Sequence, residues 1–257
     1  MKRERIVFEC KQLIRKTYCG VLCPQTCLLC GRNTEKALPL CTRCIETELH
    51  PYLDMHKSSV DAEIRRCRRC GKILISEIDY CTRCRGSRTD DTLPDFACSR
   101  VFTLFPYIGL GQKLLPVWKN QGIRSCSAVF APLIYAFLAQ NPELAALPLV
   151  PVPPRPKKIR EQGWDQIEDL VRDLAVFPKL TVCRCLTRED GVPQKKLSKS
   201  ERAMNLQGKI RVTVKPVPEK LIVLDDVMTT GATLEVCARA LKEQGAQKVY
   251  GICLFFD

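Results

Sequence analysis

Eight cysteines fall into two quartets with one spacing. Cys27, Cys30, Cys41 and Cys44 form the first and Cys67, Cys70, Cys81 and Cys84 the second, with each residue forty positions from its counterpart. A tight C-x2-C turn directs two thiolates at one point, and two such turns facing each other complete the tetrahedron that zinc prefers. Gly31 and Gly71 follow the first pair of each quartet, where the chain bends round the metal and positive φ is useful. Four thiolates leave no open coordination position, so two structural zinc sites are expected, with folding of the small module depending on metal. The other nine cysteines, at 10, 19, 23, 98, 126, 183, 185, 237 and 253, are expected mainly as small buried apolar residues.

A second chemistry is written into Leu221-Ile-Val-Leu-Asp225-Asp226-Val-Met-Thr229-Thr230-Gly231-Ala232-Thr233-Leu234-Glu235. A buried strand delivers two carboxylates, and a loop of small hydroxylated residues then enters a helix. Ligands of open α/β sheets bind at that end of the strands, and the first turn of a helix offers unpaired N–H groups and a positive dipole end to a phosphate. Gly231 and Ala232 let a phosphate approach the backbone, Thr229, Thr230 and Thr233 add hydroxyl donors, and adjacent carboxylates suit the vicinal hydroxyls of a ribose. The magnesium strand of P-loop NTPases also ends in acidic residues, but the chain has no glycine-rich loop ending in Gly-Lys-Ser or Gly-Lys-Thr. A structural turn capped by Asp and Thr would not need two aspartates and three threonines together.

Basic residues flank both chemistries. Arg155, Lys157, Lys158 and Arg160 follow Val150-Pro-Val-Pro153, and Gln194, Lys195, Ser198 and Arg202 lie on a polar stretch over 187–208 that reads as a long functional loop. Arg65, Arg66, Arg68, Arg69, Lys72, Arg83, Arg85 and Arg88 surround the second quartet, opposed between 65 and 88 only by Glu77 and Asp79. They suit either a phosphate backbone or a solvated face that offsets thiolate charge. Tyr80 is the one aromatic residue of that stretch, which offers little stacking surface to single strands.

With these residues in view, Asp225 to Thr233 resembles the signature of type I phosphoribosyltransferases. The chain from about Val21 to Phe256 resembles the ComF family of DNA-uptake (competence) proteins, through the duplicated cysteine pairs, Val150-Pro-Val-Pro153 with its basic loop, and Gln194 through Leu206. The resemblance implies zinc ribbons ahead of a phosphoribosyltransferase-like domain, and a role in passage of single-stranded DNA, with DNA and an uptake helicase as partners. It implies that Asp225 and Asp226 hold the ribose hydroxyls of 5-phosphoribosyl-1-pyrophosphate (PRPP) and that Thr229 to Thr233 hold its 5′-phosphate. Arg155 and Lys158 would lie at the pyrophosphate with Mg2+ bridging its oxygens, and Gln194, Lys195 and Arg202 would lie on a closing lid. The chain departs from the family at Arg160-Glu161-Gln162-Gly163-Trp164-Asp165-Gln166, where members usually carry an Arg-x-x-Gly-Phe-Asn-Gln run.

The elements that must position these residues follow from composition and periodicity. A chain of 257 residues, 46% hydrophobic and 27% charged, supports a normal core without covalent staples. Apolar runs too short for a membrane span and an N-terminus broken by charge suggest a cytoplasmic protein, in which abundant cysteines bind metal rather than pair. The expected organisation is an N-terminal helical segment over 1–26, a double zinc ribbon over 27–94 and an α/β domain over 95–257, a parallel sheet with flanking helices. Within it, strands are expected near 100–109, 147–153, 180–186, 221–224 and 248–256, with helices over 127–140, 165–177 and 232–244. The formal charge of +13 points to polyanionic partners. Two sites of four thiolates and one Zn2+, each at −2, lower it from +13 to +9. Three functions fit: a PRPP-binding accessory of DNA uptake, a phosphoribosyltransferase with an unidentified acceptor, and a PRPP-sensing regulator.

Overall fold

The computed structural model describes residues 26–34, 38–57, 65–67, 69–85, 96–189 and 208–256. The expected helical segment over 1–26, apart from Thr26, lies outside them, as do Arg68, Gln194, Lys195 and Arg202.

Repeated sequence gives repeated local structure. In each ribbon the first cysteine N–H donates to the carbonyl five residues on, Cys27 to Arg32 and Cys67 to Lys72, both at 2.7 Å. The glycine N–H returns to the first cysteine's carbonyl, at 2.8 Å for Gly31 and 3.0 Å for Gly71. Antiparallel bridges Thr26 to Asn33 and Arg66 to Ile73 close the two knuckles at the same forty-residue offset. After the first quartet the chain stays helical from Thr42 through a π-helical turn, Ile45–Leu49, into α1, His50–Lys57.

The second half builds a four-stranded sheet, all parallel, from β1 (Arg100–Pro106), β2 (Leu149–Pro151), β5 (Lys220–Met228) and β6 (Lys248–Phe256), in the spatial order β1-β6-β5-β2. A short antiparallel pair, β3 (Leu186–Arg188) and β4 (Ile210–Val212), flanks residues 190–207. Between β1 and β3 lie α2 (Gln112–Lys119), α3 (Cys126–Ala139), a single turn at Pro142–Ala145, α4 (Pro156–Gln162) and α5 (Gln166–Leu174), and α6 (Ala232–Glu243) links β5 to β6.

Period-two alternation assigns the strand residues to two cores. Phe102, Leu104, Ile222, Leu224, Ile252 and Leu254 face α2, α3 and α5, and this core takes in the first ribbon through Cys27, Leu49 and Leu53. Val101, Val150, Leu221, Val223, Val249 and Cys253 face α6, and this core takes in the second quartet. The ribbons, alike in local structure, therefore join opposite faces of one sheet. On the first face Tyr52 meets Phe105 edge-on with ring centroids 6.2 Å apart. On the second, the Val101 N–H donates to the Arg69 carbonyl at 2.9 Å, docking the knuckle on the exposed edge of β1.

Several expectations change. The basic loop after Pro153 folds as α4, because Pro156 enters the first turn and Gly163, at φ 71°, ends it in the left-handed conformation. The alternating run 180–186 contributes only a parallel bridge from Val182 to Leu149 before β3 begins at its last residue. The strand expected over 221–224 continues to Met228, since β6 pairs with it as far as Phe256. The stretch 100–124, for which only a strand near 100–109 is expected, also holds α2. Cys98, Cys126, Cys185, Cys237 and Cys253 are buried as expected, and Cys183 is partly so.

Candidate functional site

Chain order makes a crevice between β2 and β5. From β2 the chain moves outward to the Val182 bridge, then returns to β5 on the other side and on to β6. Strand order reverses there, the place where open α/β sheets bind ligands beyond their carboxyl ends. α5, the second helix after β2, covers one face and α6, the helix after β5, covers the other.

Asp225 and Asp226 stand on the carboxyl side of β5 at this crevice. Asp226 is buried. Its Oδ1 accepts the Val227 N–H at 2.7 Å, and its Oδ2 accepts Lys119 Nζ at 2.5 Å and Gln166 Nε2 at 2.7 Å. The Gln166 oxygen in turn accepts from Lys158, whose ammonium also meets Asp165 Oδ2 at 3.0 Å. The amide is thus held with nitrogen to carboxylate and oxygen to ammonium. Asp165 caps α5 by accepting the Ile167 N–H at 2.9 Å, so one side chain both starts the helix and anchors Lys158. Three elements, α2, α4 and α5, converge on one carboxylate.

The two aspartates titrate apart. Burial and then the Asp226 charge push Asp225 up to about 8, with the two carboxyls in hydrogen-bonding reach of each other. Burial is the largest influence on Asp226 and works to raise it as well, but the Lys119 ammonium together with the hydrogen bonds from Lys119, Gln166 and Asp225 holds Asp226 below the ordinary carboxylate range. Burial disfavours the Lys119 ammonium, and the Asp226 carboxylate more than restores it. The pair near neutral pH is one carboxylate and one carboxylic acid.

Directly after β5, Thr229, Thr230 and Gly231 form the turn into α6. Gly231 has φ 77°, and the Ala232 N–H donates to Thr230 Oγ1 at 3.3 Å. These residues, with Ala232 and Thr233, are partly exposed. The turn also lines a cleft shared with Arg69, Cys70 and Cys84, so the second ribbon forms its far wall.

The remaining predicted residues separate. Lys158 belongs to the network, whereas Arg155 is exposed at the start of α4, and Lys157 is exposed and pairs with Glu161 at 3.6 Å. Arg65 is exposed, but Arg66 donates to the Gly71 carbonyl at 3.0 Å and Arg69 lies over the Phe96 ring. Two of the four arginines assigned to nucleic acid are therefore engaged within the protein. Lys119 carries no motif and lies 107 residues from Asp226, whereas Gln166, 60 residues away, stands at the last position of the Arg160–Gln166 run.

In each cysteine quartet the four Sγ atoms lie within 4.8 Å of one another, with Cys30 to Cys41 and Cys70 to Cys81 both at 3.7 Å. A tetrahedron of Zn–S bonds near 2.3 Å has edges of about 3.8 Å, so both groups fit a zinc ion. The second quartet is fully buried, while Cys30 of the first is exposed and Cys41 partly so. No helix among the described residues is long and apolar enough to cross a membrane.

No family model matches the chain, and no curated protein matches it.

Proposed function

We propose that the crevice between β2 and β5 binds a phosphorylated ribose, with PRPP as the ligand its chemistry suits best. The observation that carries this is the juxtaposition of the Asp225–Asp226 pair with Lys119, Lys158 and Gln166 and with the Thr229–Gly231 turn. Carboxyl groups take the vicinal hydroxyls, the α6 turn takes the 5′-phosphate, and the cations on the β2 side meet the pyrophosphate. Magnesium bound with PRPP would neutralise part of the pyrophosphate charge, with Arg155 and Lys158 contributing the rest. If transfer occurs, pyrophosphate leaves C1 through an oxocarbenium-like state, and the protein's task is positioning and charge stabilisation.

Calorimetry with PRPP and Mg2+ on the wild type and on Asp225→Asn/Asp226→Asn tests the assignment. Binding by the wild type alone is expected, and equal binding by both overturns it. Pyrophosphate release in an acceptor screen separates transferase from sensor.

The wider role, a ComF-like accessory of DNA uptake, draws on the motif resemblance and on the basic charge. Because Arg66 and Arg69 are partly buried and engaged internally, the residues that can meet single-stranded DNA include the exposed Arg65, Lys72 and Arg85, the last of which also donates to the Tyr80 carbonyl at 3.2 Å. Salt-dependent binding that weakens when these three are replaced is expected, and unchanged binding would count against a DNA-contacting ribbon.

A further inference from the structure

Lys119 differs from the other cations of the crevice. It ends α2, outside every motif, and reaches the aspartate pair directly. Its partner carboxylate is already well supplied, for Asp226 accepts from Val227 on one oxygen and from both Lys119 and Gln166 on the other. A carboxylate has about four lone-pair sites, and with the Asp225 carboxyl also in hydrogen-bonding reach a sugar hydroxyl approaching Asp226 finds none open while the lysine stays. The amine has three N–H donors, and Asp226 is its one hydrogen-bond acceptor among the described residues.

Placement adds to this. The Lys119 side chain is 38% exposed where that of Asp226 is 4% exposed, so the lysine lies at the mouth of the crevice above a buried carboxylate. Arg155, at the start of α4, is close enough for its charge to oppose the Lys119 ammonium. A multiply charged anion entering between them would relieve that repulsion and take up the amine's remaining N–H groups.

We infer that Lys119 is shared between two acceptors, Asp226 and the pyrophosphate of a bound ligand, and that its move to the second releases Asp226 for a ribose hydroxyl. Lys119 is then the residue that makes the site prefer a pyrophosphorylated ribose over one lacking that group. The inference rests on the assignment of the crevice to PRPP.

Ribose 5-phosphate isolates the effect, since it has the same 5′-phosphate and ring hydroxyls but no pyrophosphate. Affinities for PRPP and ribose 5-phosphate, both with Mg2+, are measured by calorimetry and by the fluorescence of Trp164, which packs against Lys158 with the ammonium 4.9 Å from the ring. The wild type is expected to prefer PRPP, and Lys119→Met to lower that preference roughly tenfold to a hundredfold, the range for a hydrogen bond to a charged group. Lys119→Arg keeps the cation and should hold the preference within about threefold. Because Lys119→Met leaves the buried Asp226 carboxylate without its cation, Lys119→Gln, which keeps an N–H donor for Asp226 but no charge, provides a second version, with the same loss of preference expected. A wild type that binds PRPP together with Lys119→Met and Lys119→Gln variants that keep the wild-type preference overturns the inference alone. A wild type that binds neither ligand overturns the crevice assignment and the lysine's role with it.

Discussion

Replacing Gly71 by alanine should destabilise the protein by about 2 kcal/mol more than replacing Gly31, although the two residues occupy the same position of a repeated motif. Both have φ of 72°, so both substitutions incur the left-handed penalty of about 1 to 2 kcal/mol, offset in part by the lower entropy of an unfolded chain with alanine. The difference comes from the surroundings. A Cβ at Gly31 meets no atom within 4 Å, whereas one at Gly71 would stand 2.8 Å from the Val101 carbonyl oxygen and 3.3 Å from Thr103 Oγ1. The obstacle is backbone of β1, which cannot rotate away. The knuckle must therefore lift, weakening the Arg69 to Val101 hydrogen bond, and overpacking of this kind costs about 1 to 3 kcal/mol. Urea denaturation of both variants in reducing buffer with zinc present measures the difference, and hydrogen exchange at the Val101 amide locates it. Equal costs, or a larger cost at Gly31, would refute the docking of the second ribbon on β1.

Two further outcomes follow from the site geometry. Metal analysis should return two zinc ions per chain, released to a chelator in two phases, because Cys30 of the first quartet is exposed while the second is buried throughout. The fast phase should vanish in Cys30→Ser/Cys41→Ser and persist in Cys70→Ser/Cys81→Ser, and a single phase would contradict the assignment. Asp225 is raised from 3.8 to about 8, so between those values the folded chain holds a proton that the unfolded chain has lost, and stability falls as pH rises across that window. The opposite shift of Asp226 acts at the acid end and does not mask this. The wild-type urea midpoint should fall relative to that of Asp225→Asn from about pH 5 through 7 to 9, the protons linked to the zinc thiolates being common to both chains, and a constant difference would exclude a proton on Asp225.

What could be read from sequence was what is encoded locally. The quartets are recognisable because their ligands sit on tight turns, and β6 matches the expected 248–256 because an unbroken apolar run there has no helical alternative. α5 begins where Asp165 caps it. The run 180–186 misled because its alternation is real while its partner is short: β2 offers three residues, and one bridge is all that forms. α4 carried its signals, Pro156 and Gly163, but its basic composition masked them. Lys119 had no local signal, since only the fold brings the end of α2 to Asp226, and Gln166 stood in the sequence merely as the last residue of a run that departs from the family pattern.

The same distinction explains why a duplicated module need not have a duplicated role. The copies share hydrogen bonds, bridge and thiolate spacing to within a few tenths of an ångström, so the difference lies in what each touches. The first is carried by the helical run ending in α1 into the core of α2 and α3. The second meets an edge strand and the α6 face directly, and its Arg69, Cys70 and Cys84 wall the cleft beside Thr229, Thr230 and Gly231. Metal loss from the second ribbon therefore acts next to the turn proposed to hold a phosphate, while loss from the first acts through the core beneath the helix that bears Lys119. If the crevice binds PRPP, zinc content at the second site should couple to affinity for the 5′-phosphate more strongly than at the first, because among the described residues it is the second ribbon that walls that turn.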